Sequence, residues 1–385
     1  MKMKHNRKII YLAGFVFSIP IALVSYINSS FLENFIGEDY VGIIYMVASA
    51  VAILGLLKMP KILTRLGNRT TILLSLVLIF FSFILLSLGN SVLMIIPAFI
   101  LYFASVSFII SSLDIFIEDF SKRDSMVGTL RGFYLMIINL AWIIAQIISG
   151  SVIQKISFSG IYLLGSGFII LAILIFIFFL HDFKDPEYKK ISVSKAIKSF
   201  IQNKNILKIY SSNLILQFFY AWMVIYTPIY LHEFMHFSWE KIGIMFSIML
   251  IPFVLLDYPL GKLSDKIGEK KILQFGFLIM ILSVFAIPFV KESTFWIWAL
   301  ILFATRVGAA TVEVMNESYF FKIVNEKDAD EITFFRNASS VSYIIAPLLA
   351  TLIFFIVPSF EYLFFILTAV LIIGLLIVFQ IKDRK

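Results

Sequence analysis

The sequence predicts an all-α membrane protein with twelve transmembrane helices in two six-helix bundles. Hydrophobic residues make up 61% of the chain and charged residues only 15%, with 42 Phe and a mean hydropathy of +0.97. Soluble domains are about 45–50% apolar. Apolar runs near the roughly 20 residues needed to cross a bilayer recur along the whole chain, which indicates helices rather than a barrel.

Twelve such runs divide the chain into predicted spans, numbered here in chain order. They cover residues 9–27, 40–57, 71–88, 92–114, 126–153, 161–180, 206–231, 239–260, 272–290, 295–321, 332–357 and 362–381. The long polar stretch in the middle predicts an N-terminal bundle (1–181), a cytoplasmic linker (182–205) and a C-terminal bundle (206–385). An apolar face after Ser194 in the linker favours either a helix lying on the inner leaflet or a plain solvated connection.

The distribution of lysine and arginine predicts the orientation, because cationic loops stay on the cytoplasmic side. The N-terminus, the C-terminus and the even-numbered connections carry nearly all of the cations, whereas the odd-numbered connections offer only Lys155, Lys241 and Lys291. We therefore expect both termini in the cytoplasm and the protein in the plasma or inner membrane. The net charge of +8 follows from this orientation and does not indicate nucleic-acid binding.

The stretch 261–271, GKLSDKIGEKK, is a polar turn between two apolar runs. Its glycines permit unusual backbone angles, and Asp265 can accept hydrogen bonds from backbone N–H groups at a helix N-terminus. We expect Asp265 to dock at the cytoplasmic start of the fifth or the eleventh span, with an interaction of about 1 kcal/mol. A weaker copy of the turn lies at 60–69, with Pro60 in place of the first glycine and Thr64 in place of the aspartate.

This loop resembles the signature loop of the major facilitator superfamily (MFS) of transporters, and other features repeat between the halves. Arg131 opens the fifth span and Arg336 the eleventh, and both the fourth and the tenth span carry acids four residues apart. The resemblance implies a monomeric secondary transporter that moves a small molecule by alternating access, without a cofactor. We expect coupling to an ion gradient, with the proton as the ion, but the chain lacks the usual antiport marker in its fifth span, so uptake, export and uniport all stay open.

The family resemblance also implies a central cavity lined by the first, fourth, seventh and tenth spans. Polar side chains in apolar spans should face protein or water, because they are costly against lipid. The predicted cavity residues are Tyr26, Asn28, Asn139, Trp142, Gln146, Asn213, Gln217, Tyr220 and Arg306. The alternative is that such side chains bridge packed helices.

Charged residues near the cytoplasmic ends of the spans are predicted to form a gate or a coupling site. They are Asp114, Glu118, Arg131, Asp257, Asp265, Glu313, Glu317 and Arg336. They are either a charge network that latches the inner ends of the bundles, or a set in which Asp114 or Glu313 binds and releases a proton. A buried carboxyl favours the protonated form and a neighbouring arginine favours the ionised form, so the two interpretations require different surroundings.

Arg306 is the most demanding residue, because it lies about eleven residues inside its span, near the bilayer centre. An arginine facing lipid there costs at least roughly 2.5–3.5 kcal/mol. Glu313 is two turns further along, about 10 Å away by helical rise, so a contact would need a bridging group. We expect Arg306 either to contact an acidic part of the substrate or to pair with a carboxylate such as Asp257.

One motif favours another class. Residues 232–236 read HEFMH, the H-E-x-x-H pattern that places two histidines on one helical face for zinc, with a glutamate as general base. His232, Glu233 and His236 would supply these groups, but the stretch lies at the outer end of the seventh span, and no clear third ligand follows. A membrane-embedded zinc hydrolase is therefore the alternative to a transporter.

Overall fold

The computed structural model describes residues 2–121, 127–179, 203–324, 329–356 and 359–382. These residues form thirteen α-helices and no strand. The helices are α1 (Lys2–Ser25), α2 (Asn28–Ile36), α3 (Glu38–Leu66), α4 (Asn68–Leu88), α5 (Val92–Ser121), α6 (Val127–Lys155), α7 (Phe158–Phe179), α8 (Lys204–Ile229), α9 (Trp239–Ile267), α10 (Lys270–Ala286), α11 (Phe295–Phe321), α12 (Ala329–Ile356) and α13 (Tyr362–Phe379).

Eleven of these segments are long and apolar enough to cross a bilayer within the described part of the chain. The remaining predicted span, 332–357, coincides with the 28-residue α12. The all-α membrane class predicted from the sequence is therefore confirmed. The sequence did not predict α2, a nine-residue helix that follows α1 after a two-residue turn. Most of the linker, including the stretch after Ser194, lies outside the described residues.

By their contacts the helices form two compact units, which do not follow chain order. Unit one contains Met1–Arg123, Val152–Phe200 and Val324–Ile344, and unit two contains Asp124–Ser151, Ile201–Ile323 and Ile345–Lys385. Most of helix α6 thus belongs to unit two with α8–α11 and α13, whereas the first half of α12 belongs to unit one. The division into contiguous bundles predicted from the sequence stays a prediction.

In unit one, α4 packs on α5 and α7, α1 packs on α7, and α3 packs on α5. The rings of Phe83, Phe99 and Tyr162 are buried in this core. Tyr343 of α12 stacks on Tyr45 of α3, with ring centroids 5.8 Å apart and planes at 19°. Aromatic packing therefore joins the segment of α12 to the helices of unit one.

In unit two, α11 is the central helix and packs on α8, α9 and α10. Its 27 residues are mostly buried, including the side chain of Trp298. A Cβ at Gly308 would overlap the backbone carbonyl of Gly276 on α10. The two backbones approach this closely because both positions are glycine, which is a common device for packing helices in membranes.

Both copies of the signature loop reverse the chain in the same way. Gly67 ends α3 with φ of 77° and Gly268 ends α9 with φ of 83°. Glycine adopts these left-handed angles without the steric cost that other residues meet. In each loop the next residue, Asn68 or Glu269, is fully buried, so each turn places a polar side chain inside its unit.

Candidate functional site: buried charges around α6, α9 and α11

Asp265, at the end of α9, holds the first turn of α6. Its carboxylate accepts hydrogen bonds from the backbone N–H groups of Gly128 (3.2 Å) and Thr129 (2.9 Å), and from the Thr129 hydroxyl (2.8 Å). The first N–H groups of a helix have no partner within the helix, and a negative charge there is stabilised by the helix dipole. Of the two docking places expected from the sequence, the start of the fifth span is the one observed.

Three glycines allow α6 and α9 to approach this closely. A Cβ at Gly132 would overlap the backbone carbonyl of Asp257, and a Cβ at Gly261 would overlap the carbonyl of Gly128. Gly128 and Gly132 are one helical turn apart, in the G-x-x-x-G spacing of tightly packed membrane helices. The short distance between the backbones is what brings the Asp265 carboxylate to the N-terminus of α6.

A second group of charges, which the sequence analysis missed, surrounds the same loop. Lys322, after α11, lies 2.6 Å from Glu269 and 3.2 Å from Asp265. Glu269 is fully buried and also accepts a hydrogen bond from Ser318 (2.9 Å). Because buried carboxylates need paired charges and hydrogen bonds, this arrangement fixes the loop to the end of α11. The available signal was the position of Glu269 directly after Gly268.

Arg131 lies one turn beyond the start of α6 and is almost completely buried. The carbon of its guanidinium is 3.2 Å from the centre of the Phe321 ring, at the end of α11. A desolvated cation over an aromatic face is stabilised by the quadrupole of the ring. The α6 terminus is thus attached to α9 through Asp265 and to α11 through Arg131.

Arg336 of α12 and Asp114 of α5 form the corresponding ion pair of unit one. The guanidinium donates from Nε to Oδ2 at 2.5 Å and from Nη2 to Oδ1 at 3.0 Å. The aspartate is buried and the arginine largely so. This paired, planar geometry is strong and specific, and it matches the static partner expected in a latch better than the isolated carboxyl expected of a proton site.

Four polar groups meet deeper in unit two. Asp257 of α9 accepts a hydrogen bond from Asn139 of α6, from Nδ2 to Oδ2 at 2.9 Å. Tyr220 of α8 donates its hydroxyl to Glu313 of α11 at 2.7 Å. Asp257 and Glu313 also interact electrostatically, so the two hydrogen-bonded pairs belong to one cluster.

Arg306 lies beside this cluster, with its guanidinium over aromatic rings. The guanidinium carbon is 4.8 Å from the ring centre of Phe219 and 5.8 Å from that of Tyr220. Tyr220 therefore touches Arg306 with its ring and Glu313 with its hydroxyl. It is the bridging group that the helical spacing of the two charges requires; the sequence predicted Tyr220 as a cavity residue but not in this role.

No carboxylate lies within ion-pair distance of Arg306 in the described part of the chain, although the residue is 2% exposed. Its Nη1 is buried without a hydrogen-bond partner, and so is Oδ1 of Asp257. The static pair between Arg306 and Asp257, one of the expected alternatives, is therefore not observed. Each group instead has one unsatisfied polar atom, and such atoms are costly to bury.

The other predicted site residues are distributed over both units. Tyr26 and Asn28 are buried in unit one, where the Asn28 amide oxygen accepts a hydrogen bond from Tyr162 at 2.7 Å. Gln146 and Asn213 are buried in unit two, and Trp142 and Gln217 are half-buried there. Glu118 of unit one and Glu317 of unit two are also buried. The polar side chains at Asn139, Tyr220 and Arg306 are the predicted cavity residues that the structure brings together.

The H-E-x-x-H stretch does not form the helical turn that zinc binding requires. Residues Tyr230–Phe234 adopt a π-helical turn, and His236 lies beyond it with φ of 55°. His232 stacks on Trp239 with ring centroids 4.6 Å apart, and its Nδ1 is 2.9 Å from the carbonyl oxygen of Phe237. The described residues contain no group of three or more metal-ligating side chains, so the geometry does not favour the zinc alternative.

Long apolar helices with buried, hydrogen-bonded charges at several depths indicate a multi-pass membrane protein. The chain belongs to the Major Facilitator Superfamily, whose family model matches residues 10–250 and 227–385. Among solved structures it is similar to the human organic anion transporter MFSD10 (TETRAN), with a TM-score of 0.75 and 12% identity over 98% of this chain and 100% of that chain. At that identity the likeness shows the fold alone. No curated protein matches the chain.

Proposed function

We propose that this transporter is a secondary active transporter for small organic molecules with an acidic group, driven by a proton gradient. The observation that carries the proposal is the buried guanidinium of Arg306, which has no carboxylate partner in the described residues. Stacking on Phe219 covers a face of the guanidinium and leaves its edge N–H groups for an anion, which suits planar, bidentate recognition of a carboxylate. The name of MFSD10, an organic anion transporter, supports the same class of substrate.

The buried acids divide into two roles under this proposal. Asp114 is latched by the paired hydrogen bonds from Arg336, whereas Glu313 is bound by a neutral tyrosine hydroxyl. A carboxyl hydrogen-bonded to a neutral tyrosine takes up a proton more easily than one paired with an arginine, because only the arginine favours the ionised form strongly. Glu313 is therefore the better proton site, and Asp114, Arg131, Asp265 and Arg336 form structural latches.

The remaining predictions complete the proposal. The protein acts as a monomer in the plasma or inner membrane, with both termini in the cytoplasm, as the lysine and arginine distribution favours. The polar side chains of Tyr26, Asn28, Trp142, Gln146, Asn213 and Gln217 line the path of the substrate, while Glu118 and Glu317 support the cytoplasmic gate. Alternating access requires α6 to change its contacts near α9 during the cycle.

The test begins with thermal denaturation of the purified protein against matched anionic, cationic and neutral compounds, because a ligand of the folded state raises its apparent stability. We expect anions to stabilise the wild type and Arg65→Gln, which removes an exposed arginine, but not Arg306→Gln. Compounds that bind are then followed into proteoliposomes with and without an imposed pH gradient. Stabilisation by neutral compounds alone would contradict the role of Arg306, and uptake that ignores the pH gradient would identify a uniporter.

A further inference from the structure

Two unsatisfied polar atoms of opposite character lie in the same part of unit two. Nη1 of Arg306 is a buried donor without an acceptor, and Oδ1 of Asp257 is a buried acceptor without a donor. Asp257 is completely inaccessible and Arg306 is 2% exposed. Buried polar atoms in native structures are normally satisfied by protein, water or ligand, so each atom needs a partner that the described residues do not supply.

Neighbouring side chains hold the Asp257 carboxylate and the Arg306 guanidinium separately. The Asn139 amide holds the other oxygen of Asp257, so the carboxylate is fixed with Oδ1 free. Phe219 and Tyr220 hold the guanidinium of Arg306 through its faces. Tyr220 is within electrostatic reach of Arg306, Glu313 and Asp257 alike, which places all of the charges around one ring.

The spacing of the two groups follows from their positions on two packed helices. Arg306 is eleven residues from the start of α11, and Asp257 is eighteen residues from the start of α9. These helices run in the same predicted direction and pack on each other. Seven residues of helical rise amount to roughly 10 Å along a helix axis. The described residues form no ion pair between the two side chains, and a small molecule with a charged group at each end can connect them.

We propose that this site binds a zwitterion: the acidic group of the substrate contacts Arg306, and its ammonium group donates to Oδ1 of Asp257. The inference rests on the proposed function and narrows its substrate class from organic anions to small amino acids or related compounds with an apolar side chain. Phe219, Tyr220 and Phe253, whose ring centroid is 6.3 Å from that of Tyr220, supply the apolar wall. Asn139 is a positioning residue, because it acts through Asp257.

A ligand with only one of the two charged groups should bind this site less tightly. An anion without an ammonium group would satisfy Arg306 but leave Oδ1 of Asp257 without a donor, next to the Glu313 carboxyl. A cation without an acidic group would leave the arginine unpaired. Since removing one partner of a buried charged hydrogen bond costs the full desolvation of the other, the zwitterion should bind more tightly than either half.

The test uses two matched sets of compounds that differ only in their charged groups. L-phenylalanine, 3-phenylpropionate and 2-phenylethylamine share one skeleton, and L-leucine, 4-methylpentanoate and 3-methylbutylamine share another. Affinities are measured by calorimetry and thermal denaturation with the full-length wild type in detergent or nanodiscs. We expect the amino acid of at least one set to bind about ten- to a hundredfold more tightly than the acid, the range expected for a charge-assisted hydrogen bond, and the amine to bind most weakly.

Variants assign the two contacts. Asp257→Asn should lower the affinity for the amino acid to that for the acid and leave the acid unchanged, whereas Arg306→Gln should weaken both. If Asp257→Asn does not fold, Asn139→Ala serves instead and should weaken the amino acid more than the acid. Glu292→Gln, an exposed carboxylate-to-amide change, is the matched control and should change neither.

The outcomes separate this inference from the proposed function. If the acids bind as tightly as the amino acids or more tightly, the inference of a zwitterionic substrate is wrong, while the proposed organic-anion transporter is still supported. Binding of neither amino acid at millimolar concentration would overturn the inference as well. Tightest binding by the amines would overturn both the inference and the role of Arg306 in the proposed function.

Discussion

The contact between Asp265 and the first turn of α6 can be weakened by a substitution that keeps the shape of the side chain. Asp265→Asn removes the charge and one acceptor. In the wild type the carboxylate accepts three hydrogen bonds, from two backbone N–H groups and the Thr129 hydroxyl, and lies 3.2 Å from the ammonium group of Lys322. We expect α6 to separate from α9 more often in this variant.

The size of the effect follows from these contacts. A hydrogen bond to a charged group contributes about 1.5–3 kcal/mol, and a charge at a partly buried helix terminus up to about 2 kcal/mol. Asparagine keeps one oxygen that can still accept from α6, so part of the energy is retained. A net loss of about 2 kcal/mol is reasonable, larger than expected from the sequence alone. It corresponds to an increase of about thirtyfold in the fraction of molecules with this contact open.

The chain contains no cysteine, so a single introduced thiol can report the opening. Ser264→Cys is suitable, because Ser264 is buried and its hydroxyl faces Gly128, where a Cβ would overlap it. The labelling rate of this thiol by a water-soluble maleimide should rise up to about thirtyfold when Asp265→Asn is added, if labelling follows the open population. Glu292→Gln in the same background is the control and should leave the rate unchanged.

An unchanged labelling rate in Asp265→Asn, in protein that denatures at the temperature of the parent, would refute this reasoning. The hydrogen bonds to α6 would then contribute nothing measurable to the contact. If the labelling rate rises equally in the Glu292→Gln control, the thiol reports a general increase in the flexibility of the protein and not the opening of this contact. Labelling of the denatured proteins must be equal, so that only accessibility in the folded state is compared.

Three further contacts can be tested by substitution and thermal denaturation of the purified protein. Gly132→Ala should lower the apparent stability by roughly 1–3 kcal/mol, the usual cost of overpacking, because the new methyl group meets a backbone carbonyl of α9; an unchanged denaturation temperature would contradict the close approach. Asp114→Asn should cost roughly 3 kcal/mol, since it leaves Arg336 without its carboxylate, and adding Arg336→Gln should restore part of the loss; no restoration would argue against the pair. Tyr220→Phe removes the hydrogen bond to Glu313 and should cost about 1.5 kcal/mol; full stability would show that the bond has no net value.

Local sequence signals predicted those contacts that depend on one element. Asp265 was expected at a helix N-terminus because an aspartate between two glycines, after a membrane span, has few other partners to bond. The need of Arg306 for a partner followed from its depth alone. In both cases the need for a polar partner follows from the residue type and its position along the helix. The structure gives Asp265 its hydrogen-bond donors on α6 and leaves Nη1 of Arg306 without an acceptor.

The contacts that depend on three helices could not be predicted in this way. Helical periodicity gives the face on which Tyr220 lies, but not the rotation of α8 that brings its hydroxyl to Glu313 and its ring to Arg306. The pairing of Lys322 with Glu269 likewise depends on where the end of α11 meets a loop distant in sequence. The grouping of α6 with unit two reverses chain order, and only the packing of glycines such as Gly132 against α9 reveals it.

The position of Asp257 connects the two levels at which α6 is attached to α9. One oxygen of this carboxylate holds Asn139 of α6, and about two turns further along α9 Asp265 holds the first turn of the same helix. A ligand bound to the free oxygen withdraws negative charge from the oxygen that holds Asn139, because both belong to one carboxylate. If the substrate binds Asp257 as proposed, its binding and the attachment of α6 are linked through a single side chain, and the linkage is reciprocal by thermodynamic necessity.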